Sequence, residues 1–215
     1  MRAVLFDMDG VIFDSERAVR AVWFEVAGEL GLSDIGAVFV RCVGVTKQRT
    51  REIMAEAYPT LRFEDFDSRV LSRFRARYGG GRLPLKPGAR EILAALRERG
   101  YRIALASSTR TETVRLELDE AGLLPCFDAI IGGDMVTRSK PDPEIFLTAA
   151  SRLGVSAAES WVIEDSYNGV RAARAGGFRP IMVPDLLAPD AEMREKAAYI
   201  VPDLSAALTL ILNEG

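Results

Sequence analysis

The chain has 215 residues, 48% of them hydrophobic, enough to bury one good core with room for a small satellite domain. A formal net charge of −3 gives no general attraction to nucleic acid or to anionic membranes, and no apolar run is long enough to span a bilayer. The absence of histidine removes Ser-His-Asp and Cys-His nucleophile pairs, histidine acid–base catalysis and histidine-ligated zinc or iron. Any catalysis must run on carboxylates, hydroxyls, lysine, backbone amides or a hard metal. Asp7 and Asp9 interrupt what would be the apolar stretch of a signal peptide. Cys42 and Cys126 fit no CxxC pattern, which favours reduced, buried thiols. A soluble cytoplasmic protein is expected, as a monomer or weak dimer.

In chain order, residues 3–7 read as a buried strand, and 15–30 as a helix with apolar residues at Val19, Val22, Trp23, Val26, Ala27 and Leu30. Two or three further helices fit between 34 and 78, of which 47–57 and 63–78 are the clearest. Gly79-Gly80-Gly81 and the stretch from Pro84 to Gly88 form a linker. Strict alternation follows: helix 89–99, strand 102–106, helix 111–120, strand 129–131, helix 143–153, strand 160–163, helix 166–175, strand 180–183 and a closing helix 204–212. Such alternation predicts an α/β fold with a doubly wound parallel sheet. Residues 1–14 and 82–215 then form the core, and 15–81 a helical insertion after the first strand.

Four places carry chemistry. Asp7 and Asp9 follow an apolar strand, where open α/β sheets bind ligands. Two carboxylates so close ask for a cation or a shared proton. Asp7, ionised at neutral pH, can act as a nucleophile without a base, and Asp9 can move protons. The bland alternative is a polar turn. Ser107-Ser108-Thr109 follows the next apolar strand, with Ser107 and Ser108 suited to phosphate oxygens and Ser108 or Thr109 to capping the next helix. Lys140 precedes Pro141, with Asp142 expected as N-cap and Pro143 as first helical residue. It could balance charge between a carboxylate and a phosphoryl group, or be an ordinary solvated lysine. Glu164 and Asp165 follow a third apolar strand, and oxygen ligands from separate strand ends suit magnesium; an acidic helix start is the alternative. A parallel sheet would bring all four places to one edge.

These segments resemble the motifs of the haloacid dehalogenase-like superfamily: Asp7 to Glu16, Leu105-Ala106-Ser107, Lys140-Pro141-Asp142-Pro143, and Ile163 to Ser166 with Asn168-Gly169-Val170. The helical insertion is similar to the C1 cap of the branch containing β-phosphoglucomutase and phosphoglycolate phosphatase. The resemblance implies a Rossmann-like core, a mobile α-helical cap, Mg2+ and an aspartyl-phosphate intermediate. It implies Asp7 as nucleophile, Asp9 as general acid and base, and Ser107 and Lys140 on the phosphoryl oxygens. Asp165, with Glu164, would ligate Mg2+ alongside the Asp7 carboxylate and the Asp9 carbonyl.

Departures from the pattern narrow the reading. Asp9 points to phosphoryl transfer rather than dehalogenation, and 15–30 contains no lysine for the Schiff base of phosphonate-cleaving relatives. The histidine of the β-phosphoglucomutase cap is replaced by Val19 or thereabouts. The expectation is a Mg2+-dependent phosphatase of a small phosphorylated metabolite, a sugar phosphate foremost, with a hexose-phosphate mutase as the alternative. A signalling receiver domain shares the residue types but lacks both the insertion and an acid at the position of Asp9. Lys47 is the first candidate for a cap residue touching substrate, with Arg49, Arg41 and Arg51 behind it; a solvated basic helix face is the competing view.

Overall fold

The computed structural model describes residues 2–214. The chain divides into two units, Met1–Asp14 with Leu85–Gly215, and Ser15–Pro84.

The first unit is built on six strands: β1 (Ala3–Phe6), β2 (Arg102–Ala106), β3 (Ala129–Ile131), β4 (Ser160–Glu164), β5 (Arg179–Met182) and β6 (Tyr199–Ile200). They form one parallel sheet in the order β3-β2-β1-β4-β5-β6. Every residue of β1 is buried, as a central parallel strand covered on both faces requires. Residues of one parity, among them Leu5, Ala104, Ala106 and Val162, pack with Ile145, Phe146, Ala149 and Leu153 of the helix Glu144–Leu153 and Ala172 and Ala173 of the helix Tyr167–Ala175. Phe146 and Phe178 meet edge to face there, 6.0 Å between centroids. Residues of the other parity, Val4, Phe6, Ile103, Leu105 and Ile163, are equally buried.

The strand order reverses at β1: the chain runs outward through β2 and β3, then returns to place β4 on the other side of β1. Carboxyl ends at such a switch point frame a crevice. Phe6 pairs in register with Leu105 and with Ile163, so the residues just beyond β1 and β2 lie level with the end of β4. Phe13 bridges antiparallel to Leu85, and Lys86 N–H donates to the Ile12 carbonyl at 2.9 Å. The chain therefore leaves and re-enters this unit through adjacent passes.

The second unit is helical: α1 (Ser15–Glu29), α2 (Ile35–Cys42), α3 (Lys47–Ala57) and α4 (Phe63–Tyr78). Trp23 of α1 is its centre, meeting Phe39 of α2 and Phe66 of α4 edge to face at 5.2 and 5.1 Å. On α1 the buried side chains are Ser15, Ala18, Val22, Trp23, Val26 and Ala27, whereas Val19 and Leu30 are half-exposed. Arg73 and Arg77 of α4 each make bidentate pairs across to α1, with Glu29 and Glu25.

Several features differ from expectation. The two-residue β6 and the helix Ala191–Lys196 carry too short a pattern to stand out in sequence. The helix expected from Pro143 begins at Glu144, with Pro143 itself at the N-cap. Cys42 and Cys126 are unpaired and half-buried rather than fully buried. No helix among the described residues is long and apolar enough to cross a membrane.

Candidate active site

The site grows from the end of β1. Asp7 N–H donates to the Ile163 carbonyl at 3.0 Å, which extends the ladder one residue and sets Asp7 beside Glu164. The chain then turns sharply: the N–H groups of Ile12 and Phe13 both donate to the Met8 carbonyl, at 2.9 and 3.0 Å. Gly10 sits at φ +78°, and a Cβ there would lie 2.2 Å from Asp165 Oδ2. Glycine is thus required twice, for the left-handed backbone and for the room that the Asp165 carboxylate occupies.

Lys140 enters from the connection between β3 and the helix Glu144–Leu153. Its Nζ donates to Asp7 Oδ1 and Glu164 Oε1, both at 2.5 Å, and to the Ala106 carbonyl at 3.2 Å. Those acceptors come from the ends of β1, β4 and β2, and the lysine side chain is only 7% exposed. Glu144, at the start of the following helix, braces this connection by accepting from Thr137 N–H and Arg138 N–H, both at 2.9 Å. Asp142 is not the N-cap; its Oδ1 accepts from Glu144 N–H at 3.0 Å.

Burial pushes the Asp7 carboxyl up to about 8, opposed by the Lys140 ammonium and reinforced by Glu164 and Asp9. For Lys140, burial favours the neutral form, but the charges of Asp7 and Glu164 overcome it and hold the ammonium above its ordinary range.

Ser107 is fully buried, and its Oγ accepts from Thr109 N–H at 3.0 Å. Thr109 Oγ1 in turn donates to Asp9 Oδ2 at 3.0 Å. Ser107 braces the turn and Ser108 is exposed; neither Ser108 nor Thr109 caps the next helix as expected, and Thr109 touches Asp9 instead. The helix that follows, Thr111–Glu120, takes its cap from elsewhere. Asp134, after β3, accepts from Thr111 N–H and Oγ1 at 2.7 Å each. The Thr109 contact is the functional feature that sequence reading missed, because it joins residues a hundred positions apart. On the helix Thr111–Glu120, the Glu117 carboxyl is pushed up to about 7 by burial and then by the charge of Asp9.

Carboxylate oxygens of Asp7, Glu164 and Asp165 all lie within 4.8 Å of one another. Buried hard-oxygen donors this close suit a small divalent cation. The space at Gly10 that a Cβ would fill shows that the backbone is shaped around the Asp165 carboxylate. The donor set fits Mg2+.

Lys47 and Arg49 belong to the helical unit and are paired within it. Lys47 Nζ meets Asp67 at 2.6 Å, and Arg49 meets Glu52 at 2.8 Å. Arg51 and Arg41 likewise pair with Glu64 and Glu56. Exposed pairs of this kind are held weakly.

A family model described as haloacid dehalogenase-like hydrolase matches residues 1–177. The chain is 35% identical over 182 residues to the phosphorylated carbohydrates phosphatase of Thermotoga maritima, covering 84% of each chain. It is 31% identical over 194 residues to hexitol phosphatase B of Escherichia coli, covering 88% of this chain and 85% of that one. Among solved structures, a Thermotoga maritima protein with the provisional designation β-phosphoglucomutase superposes with a TM-score of 0.82 at 30% identity, covering 99% of both chains. With the family match extending over most of its length, the chain belongs to the haloacid dehalogenase-like hydrolases.

Proposed function

We propose that the protein is a Mg2+-dependent phosphatase of small phosphorylated metabolites, sugar phosphates foremost, acting through an aspartyl-phosphate on Asp7. The observation that carries this reading is the Lys140 ammonium held 2.5 Å from Asp7 Oδ1 at the switch point of the sheet. Relatives named for phosphorylated-carbohydrate and hexitol phosphatase activity support the substrate class.

Asp7, Glu164 and Asp165, whose carboxylates cluster, would hold the metal together with the Asp9 carbonyl that the family resemblance implies. Bound there, Mg2+ would supply charge neutralisation for the transferring phosphoryl group. The chain's own residues do the rest. An Asp7 carboxylate oxygen attacks phosphorus as the bond to the ester oxygen breaks, and Asp9 gives its proton to that oxygen. Lys140 carries the charge that develops on the phosphoryl oxygens, with Ser107 beside it. Asp9, now ionised and steadied by the Thr109 hydroxyl, takes a proton from the water that releases phosphate and restores Asp7.

Phosphate release should be followed with a panel of sugar phosphates, phosphoglycolate and p-nitrophenyl phosphate, with Mg2+, with EDTA and in the Asp7→Asn variant. Both EDTA and the substitution are expected to abolish turnover; activity surviving Asp7→Asn would remove Asp7 as nucleophile. Turnover appearing only with an added bisphosphate, and without net phosphate release, would transfer the assignment to a mutase.

The helical unit is proposed as the source of substrate choice, with Lys47 and Arg49 its candidate contacts. Lys47→Ala should raise KM for the preferred sugar phosphate by about tenfold, the worth of one charge-assisted hydrogen bond, with kcat little changed. An unaltered KM would leave Lys47 as a partner of Asp67 alone.

A further inference from the structure

We infer that the Thr109 hydroxyl fixes which oxygen of Asp9 carries the transferable proton, and that the site is thereby built for phosphate esters of ordinary alcohols rather than for aryl or acyl phosphates. The inference rests on the function proposed above and narrows its substrate class by the chemistry of the leaving group.

A threonine hydroxyl in a turn ordinarily bonds the backbone of its own segment. That of Thr109 does not. The Thr109 N–H donates to Ser107 Oγ at 3.0 Å, and the Thr109 carbonyl accepts from Gly133 N–H at 2.9 Å. Both backbone groups being taken, the hydroxyl crosses from the turn after β2 to the turn after β1, where it donates to Asp9 Oδ2 at 3.0 Å.

The turn that carries this hydroxyl is clamped. Ser107 N–H donates to the Ile131 carbonyl at 3.0 Å, so the pairing of β2 with β3 runs on into the first residue of the turn. The loop after β3 presses on the same segment. A Cβ on Gly133 would lie 2.2 Å from the Ser108 carbonyl oxygen, and one on Gly132 would lie 2.4 Å from the Thr111 nitrogen. The branched Thr109 side chain has few rotamers to choose from. Its hydroxyl therefore meets Asp9 at a set place.

With Oδ2 accepting from Thr109, the Asp9 proton belongs on Oδ1. In the first step an Asp7 oxygen bonds to phosphorus and the bond from phosphorus to the ester oxygen breaks. The electron pair of the broken bond goes to that oxygen, which takes the proton from Asp9 Oδ1. The carboxylate left on Asp9 keeps the Thr109 hydrogen bond, which strengthens as the charge develops. An alkoxide is too basic to leave without the proton, so an ester of a sugar hydroxyl gains the full benefit of a placed acid. A nitrophenolate or a carboxylate leaves as the anion and gains little.

Thr109→Val keeps the branched shape and removes the hydroxyl, whereas Thr109→Ser keeps the hydroxyl. The quantity to measure is kcat/KM, which covers the steps through cleavage of the ester bond and leaves out the later release of phosphate from Asp7. For the best sugar phosphate of the panel, Thr109→Val should lower kcat/KM by about tenfold or more, and for p-nitrophenyl phosphate by only about threefold. Thr109→Ser should restore the sugar phosphate rate. In an Asp9→Asn background, Thr109→Val should cost little further with either ester. An equal loss with both esters would overturn the inference, as would no loss with the sugar phosphate, no rescue by serine, or additive effects with Asp9→Asn. Wild-type activity on p-nitrophenyl phosphate and on no sugar phosphate would overturn the substrate class. If Asp9→Asn itself lowered kcat/KM for both esters alike, the acid role given to Asp9 above would fail, and this inference with it.

Discussion

Asp7, Lys140 and Glu164 form a run of alternating charge in which each carboxylate lies 2.5 Å from the same ammonium. None of the three would be tolerable alone in so buried a place, because an isolated charge there costs several kcal/mol. Glu117 is a residue without such compensation. Its carboxyl is raised to about 7, so the folded state holds a proton that the unfolded chain gives up near its ordinary value of 4.5. A raised carboxyl destabilises the fold as pH rises from the unfolded value through the folded one. Glu117→Gln is therefore expected to match wild type in stability at pH 4 and exceed it by about 1–3 kcal/mol at pH 8, after allowance for its partial exposure. Denaturant unfolding at the two pH values checks this, and an equal difference at both would mean that burial of the charge is not the cause.

At the scale of elements, the site depends on helix starts that are held by residues from other segments. The turn after β2 carries Ser107 and Thr109, and the helix after it has no side-chain cap of its own. Asp134 provides one from beyond β3, and its own carboxyl is lowered by the N–H and hydroxyl of Thr111. Asp134→Ala should cost about 1 kcal/mol of stability, the usual value of a lost cap. It should also lower kcat, because the freed turn holds the Thr109 hydroxyl that orients Asp9. A stability loss with kcat untouched would show that the turn holds its shape without the cap. Glu144 serves the Lys140 connection in the same way, and the backbone N–H of Thr137, its hydroxyl and Arg138 hold its carboxyl down to about 2.

At the scale of the whole molecule, an acidic cluster at a sheet switch point costs stability until a cation fills it. A ligand that binds only the native state stabilises it by mass action, by about 2.7 kcal/mol at a concentration of 100 Kd. Mg2+ should therefore raise Tm in the absence of any substrate. Asp165→Asn should remove most of that rise, and a calorimetric scan with and without Mg2+ is the check. A Tm that Mg2+ leaves unmoved in the wild type would argue against a metal at Asp7 and Asp165.

Local pattern determined much of this protein in advance. Apolar runs of four or five residues alternating with amphipathic helices dictate a parallel α/β sheet, and α3 and α4 begin and end where their periodicity does. Acids, a hydroxyl and a lysine placed just after such runs already point to one edge, since parallel strands all end on the same side. Where the signal is shorter than one helical turn or a few strand residues, as in β6 and the helix Ala191–Lys196, pattern is silent and only packing reveals the element. Tertiary structure alone decided the partners. Thr109 meets Asp9, Asp134 caps a helix that ends well before it in the chain, and Lys47 and Arg49 spend their charge on neighbouring acids. Residue type fixes which atoms can donate or accept, but which lone pairs are already taken depends on segments brought together only when the sheet closes.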